Sequence, residues 1–172
     1  MSSREIDLSA TIIDSLGFAA EGGRLAGGLP LANLARLSDV LVRPEGWLEC
    51  ELAGERITDA SGQSKSLLHL KVTGRLKLLC QRCLSEVAFD CRIDSRLLLI
   101  PEGIEWPADE METDEYDALP ASRELSVLTL VEDEVLLALP IVPRHADCRL
   151  PGGWEWKEAT SPFAALAQLH RH

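Results

Sequence analysis

Apolar and polar positions change period along the chain, and the change divides it into elements. Between residues 40 and 100 apolar side chains recur at every second position. Leu48, Cys50 and Leu52 alternate with Trp47, Glu49 and Glu51. Leu70, Val72, Leu76 and Leu78 alternate with Lys71, Thr73, Arg75 and Lys77. Val87, Phe89, Cys91 and Ile93 alternate with Ala88, Asp90, Arg92 and Asp94. Successive strand side chains point to opposite faces, so the pattern predicts antiparallel strands with one face on a core and the other in water. Ala53-Gly-Glu-Arg and Asp59-Ala-Ser-Gly-Gln-Ser have turn chemistry and are expected to separate the first two strands. Residues 126–139 switch to helical period. Val127, Leu130, Val131 and Glu134 form one row, and Leu128, Val135, Leu136 and Leu139 fill the apolar side. The mid-helix acids are expected on the opposite face, and Pro140 ends the element.

The flanks are less regular. Residues 1–38 hold two short helical patterns, one from Ser9 to Phe18 and one at Leu31, Leu34 and Leu37 with Pro30 as its first residue. A glycine-rich stretch over 21–28 breaks them apart. Residues 101–121 read as a solvated loop, because Glu102 to Asp117 holds eight carboxylates and no Lys or Arg. Residues 161–170 predict a small C-terminal helix, with Ser161 as N-cap, Pro162 next, and Phe163, Leu166 and Leu169 as its apolar face. The expected fold is α+β: an antiparallel β-sheet or partly open barrel packed against one main helix, with short terminal helices, residues 1–172 forming one domain.

Composition sharpens this picture. At 172 residues and 46% hydrophobic content, the chain can build a core without a disulfide or metal. Its first residues are charged and lack the apolar stretch of a secretory signal. The longest apolar runs, over 97–101 and 135–142, fall far short of the ~18 residues of a membrane span. A soluble cytoplasmic protein without a membrane partner is expected, and five cysteines, an odd count, argue for reduced thiols. The net charge of -11 and pI near 4.8 exclude a basic footprint over the whole surface. Charge is nevertheless segregated, since residues 65–96 carry seven basic side chains against three acidic ones. Lys71, Arg75, Lys77, Arg82 and Arg92 are therefore candidates for contacting nucleic acid. The same row also reads as an ordinary solvated sheet face, with little aromatic interleaving for base stacking. The acidic run has two readings as well, a lure for a basic protein or a plain linker.

The sharpest local feature is Cys80-Gln-Arg-Cys83, at the junction of the second and third strands. Its spacing suits two ligands of a tetrahedral Zn²⁺, and His145-Ala-Asp-Cys148 supplies the best second half across 61 intervening residues. Unliganded thiols in a turn are the alternative. A redox pair is a third reading, although the thioredoxin-like motif precedes a helix and this one lies between strands. Cys50 and Cys91 lie on apolar strand faces and read as core. No phosphate-binding Gly-x-x-x-x-Gly-Lys, no Gly-x-Ser-x-Gly and no His-Glu-x-x-His occurs, so no enzyme or small-molecule substrate is expected. A Cys80–His145 nucleophile pair is the one catalytic arrangement the spacing allows.

Three blocks together resemble the YceD family, the large-ribosomal-RNA-subunit accumulation proteins of bacteria and plastids. They are the strand-to-turn segment from Leu76 to Leu84, the helix and exit from Leu130 to Cys148, and the ending from Ser161 to Leu169. The resemblance implies a role in synthesis, processing or stability of the large-subunit (23S) ribosomal RNA. It implies partners among the pre-50S particle, that RNA and a basic ribosomal protein, and no catalytic residues. Relatives often carry cysteines where this chain has His145 and Cys148, which implies a shared structural zinc site. The alternative function is a thiol-based redox enzyme or sensor using Cys80 and Cys83.

Overall fold

The structure is a computed structural model and describes residues 6–58, 62–104 and 115–148. The chain begins with β1 (Ile12–Ile13), α1 (Ser15–Ala20) and β2 (Arg24–Pro30). A 3₁₀ turn at Leu31–Asn33 and the single-turn α2 (Ala35–Ser38) follow. Next come three long strands, β3 (Trp47–Thr58), β4 (Ser64–Leu79) and β5 (Glu86–Ile100). Then follow β6 (Asp117–Pro120), β7 (Leu125–Ser126) and α3 (Val127–Ala138).

β2 to β6 form one five-stranded open sheet in sequence order. The first three pairings are antiparallel, and β6 adds parallel to β5 with Leu97 opposite Asp117 and Ile100 opposite Pro120. The period-two reading of the three long strands holds. The inner face presents Leu48, Cys50, Leu52, Leu68, Leu70, Val72, Leu76, Leu78 and Cys91, all buried. Burying each leucine contributes about 2 kcal/mol before its entropy cost. β1 pairs with β7, so α1 and α3 both start from one small ribbon. Ser15 is buried there, exchanging hydrogen bonds with Ser122. From that ribbon the helices run across the inner face. α3 starts and stops as the sequence predicts. Ser126 caps it by accepting the Thr129 N–H at 3.3 Å, and its backbone turns extended at Leu139, ahead of Pro140.

Several expectations are corrected. Ala53 to Arg56 is no turn: β3 runs through it, because α1 lies so close that a Cβ on Gly54 would sit 2.6 Å from the Phe18 carbonyl oxygen. The glycine-rich stretch does end α1, at Gly22 with φ 64°, but from Arg24 it is the strand β2 and not a mere break. There a Cβ on Gly27 would sit 2.2 Å from the Ile6 carbonyl oxygen, so glycine lets residues 6–8 run alongside the edge. Pro30 closes β2 and precedes the 3₁₀ turn instead of opening a longer helix. The acids of α3 do not all face water. Glu132 is 4% exposed; it accepts the Leu37 N–H at 3.1 Å and pairs with Arg36 at 2.9 Å, tying α3 to α2. The outer face also carries a small cluster of its own, Leu67, Leu98 and Ile100 with Ile57, Tyr116 and Ala118. The C-terminal helix expected at 161–170 and residues 105–114 of the expected loop lie outside the described residues, while Asp117–Pro120, also expected as loop, forms β6 by pairing with β5. No helix among the described residues is long and apolar enough to cross a membrane.

Candidate metal centre

β4 and β5 form the longest ladder of the sheet, and residues 80–85 close it. The Cys80 N–H donates to the Ser85 carbonyl and the Leu84 N–H donates to the Cys80 carbonyl, each at 2.9 Å. Leu84 completes the turn in left-handed backbone, φ 59°. This tight curl points peptide N–H groups at the Cys80 sulfur. Hydrogen bonds from Cys83 first, then from Arg82 and His145, outweigh burial and hold the Cys80 thiol down to about 5. The Ser85 hydroxyl, 3.0 Å from the Cys83 sulfur, and the Ser85 N–H lower the Cys83 thiol as well.

The other half arrives from α3. Proline at 140 and 143 keeps the exit extended, and the Gln81 N–H donates to the Pro143 carbonyl at 2.9 Å. His145 Nε2 lies 2.9 Å from the Glu86 carbonyl oxygen. A carbonyl can only accept, so Nε2 carries the hydrogen and Nδ1 faces the sulfurs. Contacts with Cys80 first, then with the Glu86 carbonyl, raise the His145 pKa. Cys148 closes the group; burial first, and then the neighbouring sulfurs of Cys83 and Cys80, push its thiol up to about 11.

Cys80, Cys83, His145 and Cys148 thus bring four ligand atoms within 4.8 Å of one another. Tetrahedral zinc with its usual bond lengths requires about 3.8 Å between sulfurs and about 3.6 Å between sulfur and nitrogen. Cys80 and Cys148 sulfurs are 3.6 Å apart, and the Cys83 sulfur is 3.5 Å from His145 Nδ1. The donor set fits the ion, and the Glu86 carbonyl provides the outer hydrogen bond that orients a metal-binding imidazole. Such an ion would fasten the hairpin turn to the segment that leaves α3.

The other sequence candidates are dispersed. Lys71, Arg75, Lys77 and Arg92 share the outer face of the sheet, whereas Arg82 is exposed in the cysteine turn. Cross-strand register sets an acid beside most of them. Lys71 pairs with Asp94 at 3.8 Å, Arg75 with Asp90 at 3.5 Å and Lys77 with Glu86 at 3.7 Å. His69 also contacts Asp94, and this contact first, then the Lys71 charge, lowers the Asp94 carboxyl below its ordinary value. The outer face is therefore a mixed-charge lattice, less basic than the sequence segment alone indicates. Trp47, taken from sequence as a polar-face position only, lies beside Arg75 on this face and is 46% exposed. Its place in the alternation with Leu48 was the available signal.

The structure is thus an open, helix-backed sheet that carries, at one end of its central hairpin, a Cys₃His set able to hold a metal ion. The family model for large ribosomal RNA subunit accumulation protein YceD matches residues 68–170, a span that includes the whole donor set. The chain belongs to the YceD family. No solved structure matches it significantly.

Proposed function

We propose that this chain is a non-enzymatic factor in production of the large ribosomal subunit, supporting the synthesis, processing or stability of its RNA by binding. Its direct partner is the pre-50S particle, the large-subunit RNA or a basic ribosomal protein, and its place of action is the cytoplasm. Cys80, Cys83, His145 and Cys148 hold one structural zinc, which keeps the hairpin and the exit of α3 in fixed relation. The observation that supports this reading most is the family match over a segment containing all four converging ligand atoms. The redox alternative is less favoured, because a third and a fourth donor close around the Cys80–Cys83 pair.

Two measurements test the reading. Native mass spectrometry of freshly purified protein should show one bound zinc, removed by chelator and absent in Cys80→Ser. Metal-free protein cycling between a Cys80–Cys83 disulfide and free thiols would instead support the redox alternative. Second, the chain should co-sediment with pre-50S particles over a range of salt. Turnover of a substrate by the purified chain alone would overturn the non-enzymatic reading.

A further inference from the structure

We propose that the outer face of the sheet holds an unpaired nucleotide of single-stranded RNA, with its base stacked on Trp47 and its phosphate at Arg92. The proposal rests on the ribosomal-RNA reading above and names the surface that would carry it.

Register sets out the site. Glu49 lies opposite Thr73, and Thr73 lies opposite Arg92, making one row across β3, β4 and β5. The next row on the same face is Trp47, Arg75 and Asp90, since Arg75 is opposite Asp90 and Trp47 follows the Leu48–Gly74 pair. Neighbouring strands are about 4.8 Å apart and alternate residues about 7 Å apart, so the two rows span about 10 by 7 Å. That is the footprint of one nucleotide. Trp47, Glu49, Thr73, Arg75, Asp90 and Arg92 line an open depression of about 390 Å³ there.

The chemistry favours RNA over a protein side chain. Trp47, an exposed aromatic side chain, lines the depression among mostly polar and charged neighbours. A protein anchor would call for an enclosed apolar pocket, whereas a base needs one aromatic face and polar surroundings. Arg92 makes no ion pair among the described residues, which leaves its guanidinium available to a phosphate. Arg75 stands next to it in a loose, exposed pair with Asp90, their side chains 72% and 68% exposed. With a net charge of -11, the chain is suited to a short local grip and not to a long phosphate track.

Fluorescence anisotropy of the full chain with a labelled 12-nucleotide single-stranded RNA, and with a duplex of the same sequence, tests this site. Single-stranded RNA should bind and the duplex should bind at least 10-fold more weakly. One or two phosphate contacts predict a shallow salt slope, between about -0.7 and -1.4 in log–log form. Trp47→Ala should weaken binding by about 10-fold or more, while Trp47→Phe should stay within about 3-fold of the parent. Arg92→Gln should weaken binding and reduce the slope by about 0.7. Circular dichroism of each variant guards against misfolding; should Trp47→Ala fail to fold, Trp47→Phe and the exposed Arg92→Gln still decide. Equal affinity of Trp47→Ala and parent, or a salt slope far steeper than stated, overturns the site. So does a Trp47→Ala variant that loses particle co-sedimentation while the parent binds no free RNA, since the contact would then be with protein. If the parent co-sediments with particles and Trp47→Ala is unaffected, this site falls and the broader function stands. If the parent neither co-sediments nor binds RNA, both fall.

Discussion

Glu132 and Cys50 show how burial changes what a side chain does. Glu132 is a carboxylate among apolar neighbours, and it persists because Leu37 and Arg36 both donate to it. Glu132→Ala removes the acceptor and strands a buried N–H, so urea unfolding should show a loss of about 2–3 kcal/mol. Arg36→Ala should cost less, since that side chain is 52% exposed and also holds Asp133 at the surface. Equal losses would mean that the ion pair matters more than the Leu37 hydrogen bond. Cys50 is pushed up to about 12 from an ordinary value of 9.0, first by burial and then by the nearby Cys91. The neutral thiol is the form the fold accepts. Below about pH 9 folded and unfolded chains are both protonated there, and the group adds no pH dependence. From pH 9 to about 12 the unfolded chain loses the proton first, so stability falls as pH rises. Thermal melts of Cys50→Ala should lose part of that alkaline slope. At pH 8 iodoacetamide should spare Cys50 in the native protein and modify it only on unfolding.

Among the elements, the turn over residues 80–85 is the most constrained. Leu84 holds a left-handed backbone while the residue is 66% exposed, so strain is present with little burial to offset it. Leu84→Gly should raise stability by about 0.5–1 kcal/mol, and Leu84→Val should lower it by about 1 kcal/mol, with zinc stoichiometry unchanged in both. A destabilised glycine variant would show that the leucine side chain packs against something in the intact protein. The same comparison shows what the sequence could tell. Elements with one wet and one dry face, β4 and α3, were legible because their period records burial directly. β2 was not, since Gly27 makes room for the close passage of residues 6–8, a contact no local pattern records. Glu132 was misread for the same reason, its partners lying far away in sequence. The metal donors were legible as two pairs from their spacing, and their meeting depends on the exit geometry after Pro140.

Over the whole molecule, the sheet core lies apart from the four proposed zinc ligands. The main core runs from Leu8 and Leu29 through Leu70 to Val135 and does not contain the four donors. Small zinc fingers unfold when stripped of metal, but this chain should not. Chelation should lower the melting temperature and open residues 140–148 to protease, while the β-sheet dichroism persists at 25 °C. Complete unfolding on chelation would show that the clamp is required for the sheet itself.

The parallel addition of β6 to β5 has a practical consequence. The connection between Ile104 and Glu115 joins two parts that are already held together, since β6 bonds to β5 and α3 packs on the inner face. A single peptide cleavage inside that connection should therefore leave a two-piece heterodimer. Its fragments would migrate together on size exclusion and part only in denaturant, and the same boundary should serve for split reporters or for inserting a tag.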